Sequence, residues 1–183
     1  MSEAADRYRK VAAAFTERVR AVPPERWDDP APCEGWMARD VVRHLVEWVP
    51  AFFFGTWDLE PLSAPPVDDD PAAAWLALDR AVQTALDDPE VAGSERDTRM
   101  GRATFAATLD TICTSDVLIH TWDLARATGL DERLDEDEVH RMLDGIEPMD
   151  EALRSSGHYG PRVEVPGDAD EQTRLLAFLG RGP

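Results

Sequence analysis

Apolar residues recur at helical spacing along most of the chain, and this periodicity predicts its secondary structure. In the first segment they run from Tyr8 to Val22 and predict a helix over about 2–21, which two consecutive prolines end. A second helix is predicted over about 36–54. Pro50 lies inside it and should bend or end it, because proline cannot donate the helical hydrogen bond.

The rest of the chain predicts further helices separated by polar loops. The predicted elements are a loop over 58–71, a helix over about 71–86, a loop over 87–101, a long helix over about 103–128, an acidic helix over about 135–155 broken at Pro148, an irregular segment over 157–166 and a short helix over about 171–179. No alternating run is long enough to predict a sheet. We therefore expect an all-α single domain over 1–183: a four-helix bundle over about 2–129 and a C-terminal helical extension over about 130–183.

Composition and charge narrow the possible partners. A chain of 183 residues with 43% hydrophobic residues can bury a self-sufficient core. The formal net charge of −18 disfavours nucleic acid and anionic membranes. The most apolar window, 41–57, contains charged residues and should not span a bilayer, and the polar start shows no secretory signal. We expect a cytoplasmic protein that binds a small-molecule substrate, and a homodimer is left open.

The cysteines add little to this picture. Cys33 and Cys113 are too few for a disulfide scaffold and do not form a CxxC pair. We expect two reduced, partly buried thiols; a disulfide or a catalytic thiol is left open, although neither residue has a histidine close by in sequence.

Ionisable residues interrupt the apolar face of the long predicted helix. At about 100° per residue, one face of this helix collects a set of apolar side chains: Phe105, Leu109, Ile112, Ile119 and Ala127. Asp116, His120 and Asp123 fall on the same face. An unpaired buried charge costs on the order of several kcal/mol or changes its protonation state, so these groups need partners.

A metal ion is one such partner. Asp116 and His120 are four residues apart, so their side chains can converge on one point. His44 interrupts a similar stripe in the second helix, formed by Met37, Val41, Trp48 and Ala51. If the two faces meet in the bundle, the three residues form a ligand set with an open position, as in catalytic metal sites. Alternatively, His44 is a hydrogen-bonded core histidine and the other two form an intrahelical ion pair.

Two motifs and the tail resemble a known family. The segments CEGW at 33–36 and RDVVRHL at 39–45 resemble the start of the second helix in the DinB-like superfamily. More narrowly, they resemble the metal-binding domain of mycothiol-dependent maleylpyruvate isomerase and its single-domain relatives. The segment DVLIHTWDLARATG at 116–129 is similar to the fourth-helix signature of those relatives, and the tail over 159–180 is similar to theirs.

The resemblance implies a DinB-like bundle with one divalent metal ion on His44, Asp116 and His120. Zinc is the first expectation, with nickel, iron or manganese as alternatives. It also implies a low-molecular-weight thiol such as mycothiol as co-substrate, because a metal-coordinated thiol is deprotonated at neutral pH. The isomerase has a second domain for which this chain leaves no room, so isomerase activity is not expected. Met37 replaces the usual Ser or Thr cap, which should loosen the start of the second helix.

Other polar and aromatic residues receive simpler interpretations, and no catalytic residue is assigned. Asp123 should orient a ligand or bond to an arginine. The other expectations are a solvated Glu47, an exposed His140, a loop position for His158, and core or pocket-wall positions for Trp36, Trp48 and Trp122.

Three functions are compatible with the sequence as a whole: a metal-dependent thiol S-transferase acting on a small electrophile, a non-catalytic module that binds or senses a small molecule, and a metal-free structural bundle.

Overall fold

The computed structural model describes residues 2–98, 101–155 and 161–182. Its helices are α1 (Glu3–Ala21), α2 (Ala38–Val49), α3 (Pro71–Asp87), α4 (Pro89–Gly93), α5 (Phe105–Thr111), α6 (Cys113–Thr128), α7 (Glu136–Ile146), α8 (Asp150–Ser155) and α9 (Glu171–Phe178). A π-helical turn (Pro50–Phe54) follows α2, 3-10 turns occupy Pro24–Arg26 and Glu147–Met149, and β1 (Glu95–Thr98) pairs with β2 (Gly101–Thr104). The fold is mostly helical, which confirms the all-α prediction and is consistent with a DinB-like bundle.

The bundle is formed by α1, α2, α3 and α6. Helix α1 packs against α3 and α6, and α2 packs against the same two helices from the other side. Each helix buries one apolar face. The largest fully buried side chains include Tyr8, Phe15, Leu45, Phe53, Trp75, Phe105, Leu109 and Trp122. In the described ranges, no helix is long and apolar enough to cross a membrane.

The start of α2 is better held than its missing Ser or Thr cap suggests. The Asp40 carboxylate accepts a hydrogen bond of 2.9 Å from the backbone N–H of Met37, which is one half of a capping box. The next two backbone N–H groups donate to the carbonyls of Asp29 and Trp27 in the preceding loop. The first orphan donors of the helix are therefore satisfied, and the expectation of a loose helix start is not supported.

The prediction of a loop with no sheet over 87–101 is wrong. Residues 89–93 form α4, and a short antiparallel hairpin follows, in which Glu95 pairs with Thr104 and Thr98 with Gly101. Each strand has four residues, too few for alternation to stand out in the sequence. The Arg102 side chain donates across the strands to Glu95 at 2.9 Å, and such cross-strand pairs stabilise a hairpin.

The long helix predicted over 103–128 is two helices. Thr104 caps α5, which ends at Thr111, and α6 begins at Cys113. The hydroxyls of Thr108 and Thr111 both donate to the carbonyl four residues earlier, at 2.9 Å in each case. Thr121 makes the same kind of bond within the unbroken α6, so back-bonding alone does not account for the interruption at Ile112.

The glycine after α6 is expected to matter for stability. Gly129 has φ +71°, and a Cβ added there would lie 3.4 Å from the Arg26 guanidinium. Gly129→Ala should therefore lower the free energy of unfolding by about 1 kcal/mol, measured by urea unfolding. Gly145→Ala is the matched control: it lies inside α7 with open space around its Cβ, so it should be neutral or stabilising by up to about 1 kcal/mol. Equal effects of the two substitutions would contradict this role of Gly129.

Candidate metal centre

Helices α2 and α6 bring the three predicted ligands together. His44 Nε2 lies 3.1 Å from Asp116 Oδ2, and His120 Nε2 lies 3.5 Å from Asp116 Oδ1. The two imidazole centroids are 4.8 Å apart. One donor atom from each residue lies within 4.8 Å of the others. The convergence that the helical spacing predicted is therefore present.

The cluster lies at the edge of the core rather than inside it. The side chains of His44 and Asp116 are 32% and 30% exposed, whereas that of His120 is 6% exposed. The stripe expected to bury His44 is only partly buried, because Met37 and Ala51 are exposed. A small molecule can therefore approach the cluster from the side of His44 and Asp116.

The donor atoms fit a divalent metal ion. Donors at about 2.1 Å from one tetrahedral ion lie about 3.4 Å apart. The distances from Asp116 to the two imidazoles are of this size, but they involve different oxygens: Oδ2 for His44 at 3.1 Å and Oδ1 for His120 at 3.5 Å. Two imidazoles and one carboxylate suit zinc, nickel, iron and manganese alike. The three side chains leave at least one coordination position for a ligand from solution.

Two tryptophans hold the cluster in place. Trp48 Nε1 donates a hydrogen bond of 2.9 Å to Asp116 Oδ2. The Trp36 ring stacks on His120 with centroids 5.9 Å apart and lies 5.2 Å from the His44 ring. Both tryptophans are half-buried, as expected for a pocket wall, and Trp122 is fully buried in the core.

Asp123 orients the His120 ring through Nδ1, the ring nitrogen that faces away from His44 and Asp116. His120 Nδ1 lies 2.9 Å from Asp123 Oδ2, so an Nδ1–H that donates to the carboxylate leaves Nε2 free to face His44 and Asp116. Asp123 is fully buried, and its carboxylate also accepts hydrogen bonds from Arg181. The bond to an arginine that was one of the two alternatives for Asp123 is present, and the same carboxylate contacts His120, a predicted ligand.

The charges in the cluster are mutually stabilised. Burial works against ionisation of Asp116, but His120 and the hydrogen bonds from His44 and Trp48 outweigh it and lower the pKa of this carboxyl. Burial likewise disfavours a charged His120, but the carboxylates of Asp116 and Asp123 raise its pKa. Hydrogen bonds from Arg181 and His120 overcome burial and hold the pKa of Asp123 at about 2. The carboxylates are therefore ionised at neutral pH and available to a cation.

The structure also places Cys33 close to the site, which the sequence did not reveal. Cys33, His120 and Asp123 form a second group of closely spaced donor atoms. Burial and the nearby Asp123 raise the pKa of the Cys33 thiol to about 11, and the Arg181 guanidinium already supplies a cation to this group. The second group is therefore less suited to a metal ion than the group with His44.

The remaining candidate residues are His140, Glu47, Cys113 and His158. His140 is exposed and pairs with Glu171 at 3.1 Å, and Glu47 is exposed, as predicted for both. Cys113 is buried, and both cysteines are free thiols. His158 lies outside the described residues.

The fold and the cluster define a mostly helical bundle with a candidate metal centre, and this fold is consistent with a DinB-like bundle. Residues 8–53 match the family described as the mycothiol maleylpyruvate isomerase N-terminal domain, which confirms the resemblance expected from the motifs. Two uncharacterized proteins of Mycobacterium tuberculosis, from strains CDC 1551 and H37Rv, are each 28% identical to this chain over 174 residues. The alignment covers 92% of this chain and 91% of each relative. No solved structure matches the chain.

Proposed function

We propose that the protein binds one divalent metal ion through His44, Asp116 and His120, and that it activates a low-molecular-weight thiol of the mycothiol type toward a small electrophile. The observation that carries this proposal is the convergence of two imidazoles and one carboxylate at a partly exposed edge of the bundle. A bound divalent ion would supply one kind of chemistry here, since it makes a coordinated thiol ionise at neutral pH. Zinc is the first candidate ion, and nickel, iron and manganese suit the same donors.

The protein's own side chains orient the donors and leave one side open. Trp48 fixes the Asp116 carboxylate, and Asp123 fixes the His120 ring. The Trp36 ring lies against both imidazoles on one side. The exposure of His44 and Asp116 leaves the other side accessible to a thiol and an electrophile.

The family match supports the same function. It covers 8–53, which contains His44, and the matched family is a metal-binding domain connected with mycothiol. Asp116 and His120 lie outside the matched range, so their assignment depends on the geometry.

The test is a thiol-dependent conjugation assay. Zinc-reconstituted protein is incubated with a chlorinated bimane and with mycothiol, bacillithiol or glutathione in turn, and product formation is followed. We expect conjugation with mycothiol above the protein-free rate, lost in His44→Ala and retained in the matched control His140→Ala. Absence of conjugation with all three thiols would refute the transferase function.

A groove beside α2 favours a second candidate, a module that binds a small molecule without turnover. The groove has a volume of about 660 Å³ and is lined mostly by apolar residues of α2, the π-helical turn and the loop after it, among them Val46, Phe54, Leu62 and Pro65. Pockets of this size and character bind small ligands. This candidate predicts ligand-dependent shifts in the unfolding temperature with no product.

A further inference from the structure

Arg181, close to the end of the chain, makes a bidentate ion pair with Asp123. Its Nε donates to Asp123 Oδ1 at 2.7 Å, and its second terminal nitrogen donates to Oδ2 at 2.6 Å. The Asp123 side chain is fully buried and that of Arg181 is 16% exposed. The same Oδ2 is 2.9 Å from His120 Nδ1. One carboxylate therefore joins the C-terminal arginine to a candidate metal ligand.

The C-terminal cap of α9 places this arginine. Gly180 has φ +82°, and its N–H donates to the carbonyl of Ala177. The N–H of Arg181 donates to the carbonyl of Leu176, which completes a Schellman motif. Leu175, Leu176 and Phe178 are buried, so the helix that carries the motif is itself seated in the core. The position of Arg181 is thus fixed by the packing of α9 and by the cap at its C-terminal end.

We propose that Arg181 is a positioning residue for the metal centre, which acts through Asp123 to hold the His120 ring with Nε2 toward His44 and Asp116. This inference rests on the proposed metal binding. Bidentate pairing fixes the plane of the Asp123 carboxylate as well as its charge. The fixed carboxylate then selects the Nδ1–H tautomer of His120 and its rotamer.

Among the described residues, two hydrogen-bond neighbours of the Asp123 carboxylate remain without Arg181. These are His120 itself and the Cys33 thiol, whose sulfur lies 3.7 Å away and is a weak donor. Neither fixes the plane of the carboxylate as the bidentate arginine does, so the hydrogen bond that directs the His120 ring is weakened. The end of the chain is therefore coupled to a centre built from α2 and α6.

A double-mutant cycle on the full chain tests this coupling. Zinc dissociation constants are measured by chelator competition for wild type, Arg181→Met, Asp123→Asn and the double variant. We expect each single substitution to weaken binding about 10- to 100-fold, the range for residues that orient a ligand, and the double variant to be no weaker than the weaker single one. Arg181→Lys, which keeps the charge but not the bidentate geometry, should fall between wild type and Arg181→Met.

The matched control is Arg174→Met on α9. Arg174 pairs with Glu147 at 3.0 Å on the surface, with both side chains more than 40% exposed, so its loss should leave the dissociation constant unchanged. Unfolding temperatures of the metal-free variants show whether each one folds. Losses that add in the double variant, or an unchanged constant in Arg181→Met, would overturn the proposal.

A metal-free readout separates this proposal from the proposed function. Histidine 15N spectra of the metal-free protein, recorded at alkaline pH where the ring is neutral, report the tautomer of His120. We expect the Nδ1–H tautomer in wild type and in Arg174→Met, and a mixture of tautomers in Arg181→Met. An unchanged tautomer in Arg181→Met would refute positioning even if zinc binds. If wild type binds no metal but the tautomer changes in Arg181→Met, the proposed function is refuted and only the positioning of the His120 ring stands.

Discussion

Replacing Arg7 with methionine is expected to lower the free energy of unfolding by about 3 kcal/mol. Arg7 is 8% exposed and Glu138 is 5% exposed, and the two form an ion pair between α1 and α7. Arg7 also donates to Asp110 at 2.9 Å. Its removal leaves Glu138 charged and buried, which costs about 3–5 kcal/mol in other proteins. Lys10 lies 3.8 Å from the second Glu138 oxygen and offsets part of this cost, so the lower end of the range applies.

Two further variants test whether the buried, unpaired charge of Glu138 causes this loss. The free energy of unfolding of all three variants is measured by urea unfolding. Arg9→Met is the matched control on the same helix: its pairs with Asp6 and Asp87 are at the surface, so it should cost no more than about 1 kcal/mol. Arg7→Met combined with Glu138→Leu removes both charges and should recover most of the lost stability. If Arg7→Met and Arg9→Met were equally mild, the buried pair would not contribute as described.

Replacing His120 with alanine is expected to weaken metal binding by more than about 100-fold, beyond the loss caused by a residue that only orients a ligand. The substitution removes one of three donors and leaves His44 and Asp116. The fold should survive, because Asp123 keeps its bidentate bond to Arg181. The readout is the zinc dissociation constant from chelator competition.

His140→Ala is the control for this substitution. His140 is exposed and far from the cluster along the chain, so its loss should leave zinc binding unchanged. Binding by His120→Ala within tenfold of wild type would show that this ring is not a ligand.

The affinity of the wild-type protein for zinc should also fall as the pH falls, because the carboxylates raise the pKa of His120 and the imidazole must be deprotonated to bind a metal.

The long helices could be predicted because their apolar faces are long and regular. The observed α1 and α3 begin and end within one or two residues of the predicted bounds. The break in the acidic helix also follows from Pro148, which lies in the 3-10 turn between α7 and α8. The hairpin could not be predicted, because strands of four residues give too short a pattern. The interruption at Ile112 could not be predicted either, because the apolar periodicity continues across it.

Some residues of the candidate site could likewise be predicted from the sequence, and others could not. Asp116, His120 and Asp123 could be identified because charged groups on an apolar helix face need partners. The contribution of Arg181 could not, since it lies 58 residues from Asp123 and is brought there by the packing of α9. Cys33 was missed for the same reason, as it lies 90 residues from Asp123. The partial exposure of His44 also depends on packing, because Met37 and Ala51 on its stripe are apolar in sequence but exposed in the structure.

The most direct test of the central claim is the metal content of untagged protein after zinc reconstitution, compared among wild type, His44→Ala and Cys33→Ser. The second donor group shares His120 with the first, so this histidine cannot tell the two groups apart, whereas His44 and Cys33 each belong to one group alone. We predict about one equivalent of zinc in wild type and in Cys33→Ser, and less than about a tenth of an equivalent in His44→Ala. Full metal content in His44→Ala, or less than about a tenth of an equivalent in wild type, would contradict the claim.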